Sequence, residues 1–516
     1  MRDEYELKLA VPRKHLSALE HHALIRAAAR DEKKRSRLVT TYFDTPESGL
    51  RKRGMALRVR RSGQRRVQTL KVAADEAGSA HHHHEYEAEI EEDRPDISLI
   101  RPSRMRKLLT RDKLDRSLTP VFTTDIQRDS IPLRFADSDI ELALDVGRIR
   151  TDKRKREVCE AELELTSGPR AGVIELALAL CESVPFRLES RTKAARGYAM
   201  SKREVPRAVR AVPVGLTAKM GVGEAFEVVA QAAIVQLRAN EAAFVETADA
   251  EAVHQMRVAV RRLRAALGLF AKALDRDTRS GLAAELRWLQ RRLGAARDWD
   301  VFVSETLDPA TAKLDGGEGI AGLRAAARSL RNDAYRRVRR TLDGRRYTRM
   351  LLSVELWLTD HAWLRAPGPG GDRRKTRRIR PYAQRRLGRW DAKLGADLAR
   401  HATLSTAERH ALRIRAKKLR YASEFVAGVF PGSGARDYVA GLKSLQDALG
   451  TANDLAIAER LLGELAGRMA RNGFAPMEIA STVDPIRGWL ASQQDDCTNR
   501  QGRAVRRCLE SARFWS

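Results

Sequence analysis

The first eleven residues, MRDEYELKLAV, alternate: Glu4, Glu6 and Lys8 fall at every second position, with Tyr5, Leu7 and Leu9 between them. Side chains at i, i+2 and i+4 of a strand share a face, so the stretch predicts a strand with one charged and one apolar side. The pattern recurs. Arg58 and Arg60 alternate with Leu57 and Val59, and Glu85, Glu87 and Glu89 with Tyr86, Ala88 and Ile90. Glu141 and Asp145 stand against Leu142, Leu144 and Val146, and Glu160, Glu162 and Glu164 against Ala161, Leu163 and Leu165. Lys71, after Thr69, extends the set.

Period two, broken by turn residues, persists to about residue 203. From about residue 220 alanine, leucine and arginine recur at spacings of three and four, the signature of amphipathic helices. Between the two regimes, REVPRAVRAVPVGLTAKMGVG (203 to 223) has prolines, glycines and no period, and reads as a linker. A second break, RAPGPGGDRRKTRRIRP (365 to 381), divides the helical part into halves that repeat. HQMRVAVRRLR (254 to 264) matches HALRIRAKKLR (410 to 420), and LQRRLGAARD (289 to 298) matches LQDALGTAND (445 to 454), both at an offset of 156. Two linked blocks at one spacing indicate internal duplication of a helical bundle.

A length of 516 residues with 43% hydrophobic content suits several domains, each with its own core. Lysine and arginine total 97 against 68 acidic residues, a net +29 that points to a polyanionic partner. The surplus is uneven: 53 basic against 34 acidic residues after position 216, but 44 against 34 before it. The four cysteines lack C-x-x-C spacing, so neither a disulfide framework nor a zinc knuckle is indicated, and a reduced cytoplasm fits. The N-terminus is charged from Arg2, and no stretch approaches the roughly 20 apolar residues of a membrane span. A cytoplasmic protein without a membrane partner is expected.

The charges of the alternating strands are sorted by strand: Arg58 and Arg60 are purely basic, and Glu160, Glu162 and Glu164 purely acidic. A sheet face in water is the ordinary reading of any one such strand. Turned into a closed barrel, the set would instead line a wet lumen with carboxylates on one wall and guanidinium groups on the other. Carboxylate oxygens suit Mg²⁺ or Mn²⁺, and arginine forks and lysine suit phosphate oxygens, so the combination fits a metal-bound oligophosphate. No G-x-x-x-x-G-K-[ST] or H-E-x-x-H occurs, which removes support for P-loop or zincin chemistry.

EYELK (4 to 8) resembles the E-x-E-x-K signature of the CYTH, or triphosphate tunnel metalloenzyme, family. Further matches follow in that family's order: TTYFDTP (40 to 46), L-x-x-x-G-x-A-L-R-V-R (50 to 60), TLK (69 to 71), E-x-E (87 to 89), TTDIQR ending at Arg128, ELALDVG (141 to 147), E-x-E-x-E (160 to 164) and TKAARGY (192 to 198). The resemblance implies an antiparallel β-barrel tunnel that hydrolyses or otherwise processes a triphosphate with a divalent metal, Mg²⁺ or Mn²⁺. It implies metal binding by Glu4, Glu6, Asp145, Glu160, Glu162 and Glu164, with Glu87 and Glu89 as lesser candidates. It implies phosphate binding by Lys8, Arg58, Arg60, Lys71, Arg128, Arg191 and Lys193, and a catalytic set of Glu4, Glu6, Lys8, Lys71, Arg58 and Arg60. Where many relatives carry arginine just before the acids that correspond to Glu85, Glu87 and Glu89, this chain has a run from His81 to His84, read as a solvated hairpin loop.

At 100° per residue, His254, Arg257, Arg261 and Arg264 fall within about 80° of arc, opposite Met256, Val260, Leu263 and Leu267. His410, Arg413, Lys417 and Arg420 repeat the stripe, on a helix that Ser405 and Glu408 open as a capping box. Neither stripe interleaves acids that would form i to i+4 pairs, so an anion is the expected compensation. Aromatics are only 5% of the chain and spare the stripes except for nearby Tyr421, which favours phosphate without bases over nucleic acid. These blocks resemble the CHAD family of two-repeat helical domains, which implies binding of inorganic polyphosphate. Carried over, the binding residues are His254, Arg257, Arg261, Arg262, Arg264, His410, Arg413, Lys417, Lys418 and Arg420, with Asp298 and Asp454 bracing helices.

The expected fold is α+β and multidomain. It has an N-terminal antiparallel β-barrel tunnel (1–203), a linker (204–219) and a C-terminal all-α helical bundle (220–510) of two repeats, about 220–364 and 382–510. The expected function is metal-dependent hydrolysis of inorganic triphosphate joined to polyphosphate binding, in a cytoplasmic protein associated with polyphosphate granules. Two alternatives stand beside it: a non-catalytic granule adaptor, and a tunnel enzyme acting on a nucleoside or thiamine triphosphate, cyclase chemistry included.

Overall fold

The computed structural model describes residues 5–73, 83–101, 103–111, 114–312, 317–360 and 377–516. By internal contacts the chain forms two units, one of Met1–Pro206 with Leu342–Asp360, the other of Arg207–Thr341 with His361–Ser516. The sheet and the helical bundle give the α+β fold that the alternating and helical periods predict.

The alternating segments become β1 (Glu6–Ala10), β2 (Lys34–Asp44), β3 (Met55–Ser62), β4 (Arg65–Ala73), β5 (His83–Glu89), β6 (Thr119–Phe135), β7 (Ser138–Arg150), β8 (Lys155–Ser167) and the short β9 (Arg187–Leu188). They form one antiparallel sheet in the order β5-β4-β3-β2-β6-β7-β8-β1-β9. Among the described residues β5 and β9 end this order without pairing to each other. The His81 to His84 run, expected in a loop, ends inside the sheet: His83 and His84 pair with Ala73 and Val72 and lengthen the hairpin. His81 and His82 lie outside the described residues, as does Glu4.

One face of the sheet is apolar and covered. Tyr5, just before β1, Leu7 and Leu9 of β1, and Ala161 and Leu163 of β8 are buried. Beside them the helix Arg170–Cys181 buries Val173, Ile174, Leu176, Ala177 and Leu180. The helix Arg345–Thr359 buries Tyr347, Met350, Leu351, Leu352, Val354, Trp357 and Leu358 and packs on that helix and on β9. The sequence places this helix inside the first helical repeat, yet its contacts group it with the sheet. A dense apolar period shows that a helix is buried but not what buries it. On the other face the helix Lys193–Ser201 lies close against β6, where a Cβ on Gly197 would fall 2.2 Å from the Phe122 ring.

In the second unit the duplication is plain at the level of helices. Val222–Thr247, Ala250–Leu269, Arg276–Phe302 and Glu318–Leu342 recur as Ile379–Ala399, Thr406–Val426, Gly434–Arg471 and Pro476–Glu510, each near the 156-residue offset. The predicted capping box is present: Glu408 N–H donates to Ser405 Oγ (3.3 Å) and Ser405 N–H to Glu408 Oε2 (2.9 Å). Asp249 caps the equivalent helix through the N–H of Glu251.

Candidate active site

Side chains from β1 to β8 and from the helix Lys193–Ser201 line a single cavity of about 530 Å³, which requires the sheet to curl around it. Its acid side carries Glu6 of β1, Asp145 of β7 and Glu162 and Glu164 of β8; its basic side carries Arg58 and Arg60 of β3, Lys71 of β4 and Arg128 of β6. Lys8 and Lys193 also line it, as do Glu85 and Glu87 of β5. Three expected residues are placed elsewhere. Glu160 is buried behind the wall, Glu89 is exposed and pairs with Arg65 at 3.0 Å, and Arg191 lies 3.8 Å from Glu189.

Strand register explains the acid wall. Glu6 of β1 and Glu141 of β7 are both direct cross-strand partners of Glu164 on β8, and Lys8 is the partner of Glu162. Like charges directly opposite one another are destabilising, so such a row of carboxylates needs counter-charges. Lys8 also pairs with Glu6 and stands 3.9 Å from Glu162.

Deeper in, Asp145, Glu160 and Glu162 each offer an oxygen within 4.8 Å of the others, a set that could hold a metal ion. Lys193 Nζ lies 2.6 Å from Asp145, 2.5 Å from Glu160 and 2.9 Å from Glu162. Arg128 forms a fork with Asp145 (2.7 Å twice) and reaches Glu162 at 2.5 Å, while Arg196 donates to Glu160 at 2.5 Å. Three cations thus balance three carboxylates out of water. Burial pushes Glu162 up, but Lys193, Lys8 and Arg128 outweigh it and hold the carboxyl well below its ordinary range. Burial likewise opposes the Lys193 charge, and Glu162, Asp145 and Glu160 outweigh it, holding the ammonium above its ordinary range. Sequence reasoning missed Arg196, although it falls one helical turn after Lys193 in TKAARGY.

The basic wall is not balanced in this way. Among the described residues Arg58 Nε and Arg60 Nε are buried without a hydrogen-bond partner, and the nearest carboxylate to Arg58 is Glu85 at 3.9 Å. Burial, then the adjacent Arg58, brings Arg60 down to about 10. Two crowded guanidinium groups thus keep buried donors of the kind that anion oxygens accept.

In the second unit the two stripes converge. Arg257 and Arg261 of the first repeat act electrostatically on Lys417 of the second, and Arg261 also acts on Arg413. Arg261 donates to the Tyr421 hydroxyl at 3.1 Å. Arg257 Nε and Arg413 Nε, equivalent positions of the repeat, are both buried without a partner. Asp298 lies 4.0 Å from Arg257. Burial, then Arg297 and Arg261, brings His254 down to about 4, so its imidazole is a neutral hydrogen-bonding group at pH 7. Other expected contacts point elsewhere: Arg262 is buried beside Glu424 at 3.8 Å, Arg264 binds Gln290, and Arg420 binds the equivalent Gln446 at 3.1 Å. His410 and Lys418 are exposed.

Fold and site together define a two-domain protein with a charged β-cavity and a duplicated basic helical bundle. Residues 2–198 match the CYTH domain and residues 228–463 the CHAD domain, and the chain carries both in that order. An inorganic triphosphatase of Haemophilus influenzae is 30% identical over 220 residues, covering 40% of this chain and 56% of that protein. The chain therefore spans about half the length of this curated relative. The crystal structure of the CHAD domain from the plant Ricinus communis is 31% identical, with a TM-score of 0.50 over 60% of this chain and 98% of its own. A putative adenylyl cyclase from Hippeastrum, described as having a dominant triphosphatase activity, is 22% identical over 38% of this chain and 96% of its own, with a TM-score of 0.29. Among the described residues no helix is long and apolar enough to cross a membrane.

Proposed function

We infer that the cavity hydrolyses inorganic triphosphate with a divalent metal, Mg²⁺ or Mn²⁺, and that the helical unit binds polyphosphate. The observation that carries the catalytic reading is the pair of buried, unpartnered Arg58 and Arg60 nitrogens facing a carboxylate wall across one cavity. The name of the Haemophilus influenzae relative supports the substrate class.

The all-oxygen donor set fits a hard cation, and because Lys193 fills the inner cluster of Asp145, Glu160 and Glu162, Glu6 and Glu164 are the acids that would hold it from the cavity side. When bound, such an ion neutralises phosphate charge and polarises the P–O bond to be broken. The protein's own residues do the rest. Arg58, Arg60 and Lys71 grip the phosphates and stabilise the negative charge that spreads over the equatorial oxygens in the transition state. A carboxylate of the acid wall orients a water molecule toward the terminal phosphorus. The water oxygen bonds to that phosphorus, the bridging P–O bond breaks, the water's proton is lost to solvent, and pyrophosphate leaves beside orthophosphate. Glu162, held ionised by its cations, accepts the water's hydrogen bond and is too weak a base to keep the proton. Phosphate release from triphosphate with Mg²⁺ or Mn²⁺ tests the reading.

For the helical unit, the buried Arg257 and Arg413 Nε atoms, without a hydrogen-bond partner at equivalent positions of the repeat, support a shared polyanion site. The Arg257→Ala, Arg413→Ala double variant should lose long-chain polyphosphate binding, and binding by the unaltered protein should fall steeply with salt and survive competition by DNA. Displacement by DNA would instead favour a nucleic-acid role. Burial, then Arg413 and Arg261, brings Lys417 down to about 7. A bound polyanion favours the protonated lysine, so binding takes up a proton. Affinity at fixed ionic strength should therefore fall from about pH 6 to about pH 9, and Lys417→Arg should flatten that slope.

A further inference from the structure

β1 carries Glu6 toward the cavity, but its first half has little to hold it. On one side it pairs with β8 throughout. On the other, β9 pairs only with Leu9 and Ala10, followed by a hydrogen bond from Glu189 N–H to Lys8 O at 2.8 Å. Among the described residues no strand flanks Tyr5, Glu6 or Leu7 on that side. An edge backbone of this kind shifts easily, and a carboxylate at its start shifts with it. Tyr5, next to Glu6 and facing the opposite way, is buried, and its hydroxyl donates to Glu355 Oε1 at 2.9 Å. Glu355 belongs to the helix Arg345–Thr359, which lies between the two repeats in sequence but packs in the unit of the sheet. That helix is fixed in turn. Thr348 Oγ1 donates to Phe186 O at 3.1 Å, Arg349 pairs with Glu182 at 3.2 Å, and just before the helix Asp343 pairs with Arg187 of β9 at 3.3 Å.

We propose that Glu355 is a positioning residue for the catalytic cavity: through Tyr5 it fixes the edge of β1 and so sets where the Glu6 carboxylate stands. The catalytic unit is thereby completed by a helix encoded some 150 residues after its last strand. This rests on the reading of Glu6 as a metal-facing acid. Groups that orient metal-facing carboxylates typically contribute about 10- to 100-fold in metal affinity, and the effect here passes through one residue of backbone, so the lower end applies.

The test uses the full chain with Tyr5→Phe, Glu355→Ala, the double variant and Glu355→Gln. Mn²⁺ binding is titrated without substrate by electron paramagnetic resonance, alongside the KM and kcat for triphosphate and the thermal midpoint. Each single variant should weaken Mn²⁺ binding by about tenfold, and the double variant should be no worse than either, because the two groups act through one hydrogen bond. Glu355→Gln, which keeps an acceptor, should recover most of the affinity, and KM should stay unchanged. A lowered thermal midpoint with wild-type Mn²⁺ affinity, or fully additive losses in the double variant, would overturn the proposal. Absence of both Mn²⁺ binding and phosphate release in the unaltered chain would overturn the reading beneath it as well.

Discussion

The Arg58→Ala chain should release orthophosphate from triphosphate about 10² to 10³ times more slowly than the wild type, corresponding to about 2.7–4 kcal/mol of lost transition-state stabilisation. The loss should appear in kcat, because the charge that Arg58 meets grows as the P–O bond breaks. Stability should not fall with it. Among the described residues the Arg58 Nε is buried without a hydrogen-bond partner and the nearest carboxylate, Glu85, is 3.9 Å away, so alanine removes a guanidinium held at some cost. Steady-state phosphate release together with a thermal melt separates the two effects. Wild-type turnover in this variant would remove Arg58 from the site, and a collapse in melting temperature would make its role structural.

Lys193→Met should do the reverse and act mainly through stability. The ammonium lies between Asp145, Glu160 and Glu162, and its loss leaves Arg128 and Arg196 to balance three buried carboxylates. Breaking a buried ion network by removing one partner typically costs about 3–5 kcal/mol. The pH response should change sign. In the wild type Glu162 is held low in the folded state, so its contribution is present above the ordinary carboxylate range and is lost only as pH falls through its folded value. Without Lys193 one carboxylate lacks a counter-charge, and burial, which already opposes the Glu162 charge, favours a proton held there in the folded state, so the folded state binds more protons and gains stability on acidification. The variant's melting temperature should therefore rise from about pH 7 to about pH 5, where the wild type changes little. A variant that melts like the wild type at both pH values would contradict the charge balance described for this network.

Alternation alone places the β1, β3 and β8 charges on one face of a sheet, because side-chain period follows directly from strand geometry. The 156-residue offset likewise locates the paired helices and the paired Arg257 and Arg413. What the chain does not display is depth. Glu160, Glu162 and Glu164 are equivalent by period, yet only Glu162 and Glu164 reach the cavity, because Lys193 and Arg196 arrive from a later helix and hold Glu160 behind the wall. Arg261 and Arg262 are neighbours in one basic run, but Arg262 is turned inward beside Glu424 and over the Phe425 ring. The helix Arg345–Thr359 shows a strong apolar period whose partner is set by long-range packing on Arg170–Cys181, which no local pattern encodes.

The central claim is that the cavity breaks the phosphoanhydride bond of inorganic triphosphate. Phosphate release by the full chain, measured with Mg²⁺ or Mn²⁺ on tripolyphosphate, ATP and thiamine triphosphate in parallel, tests it most directly. The account predicts metal-dependent turnover that is fastest on tripolyphosphate and abolished by a chelator. Tight binding of tripolyphosphate with no orthophosphate released under any metal, or turnover confined to one of the two organic triphosphates, would contradict it.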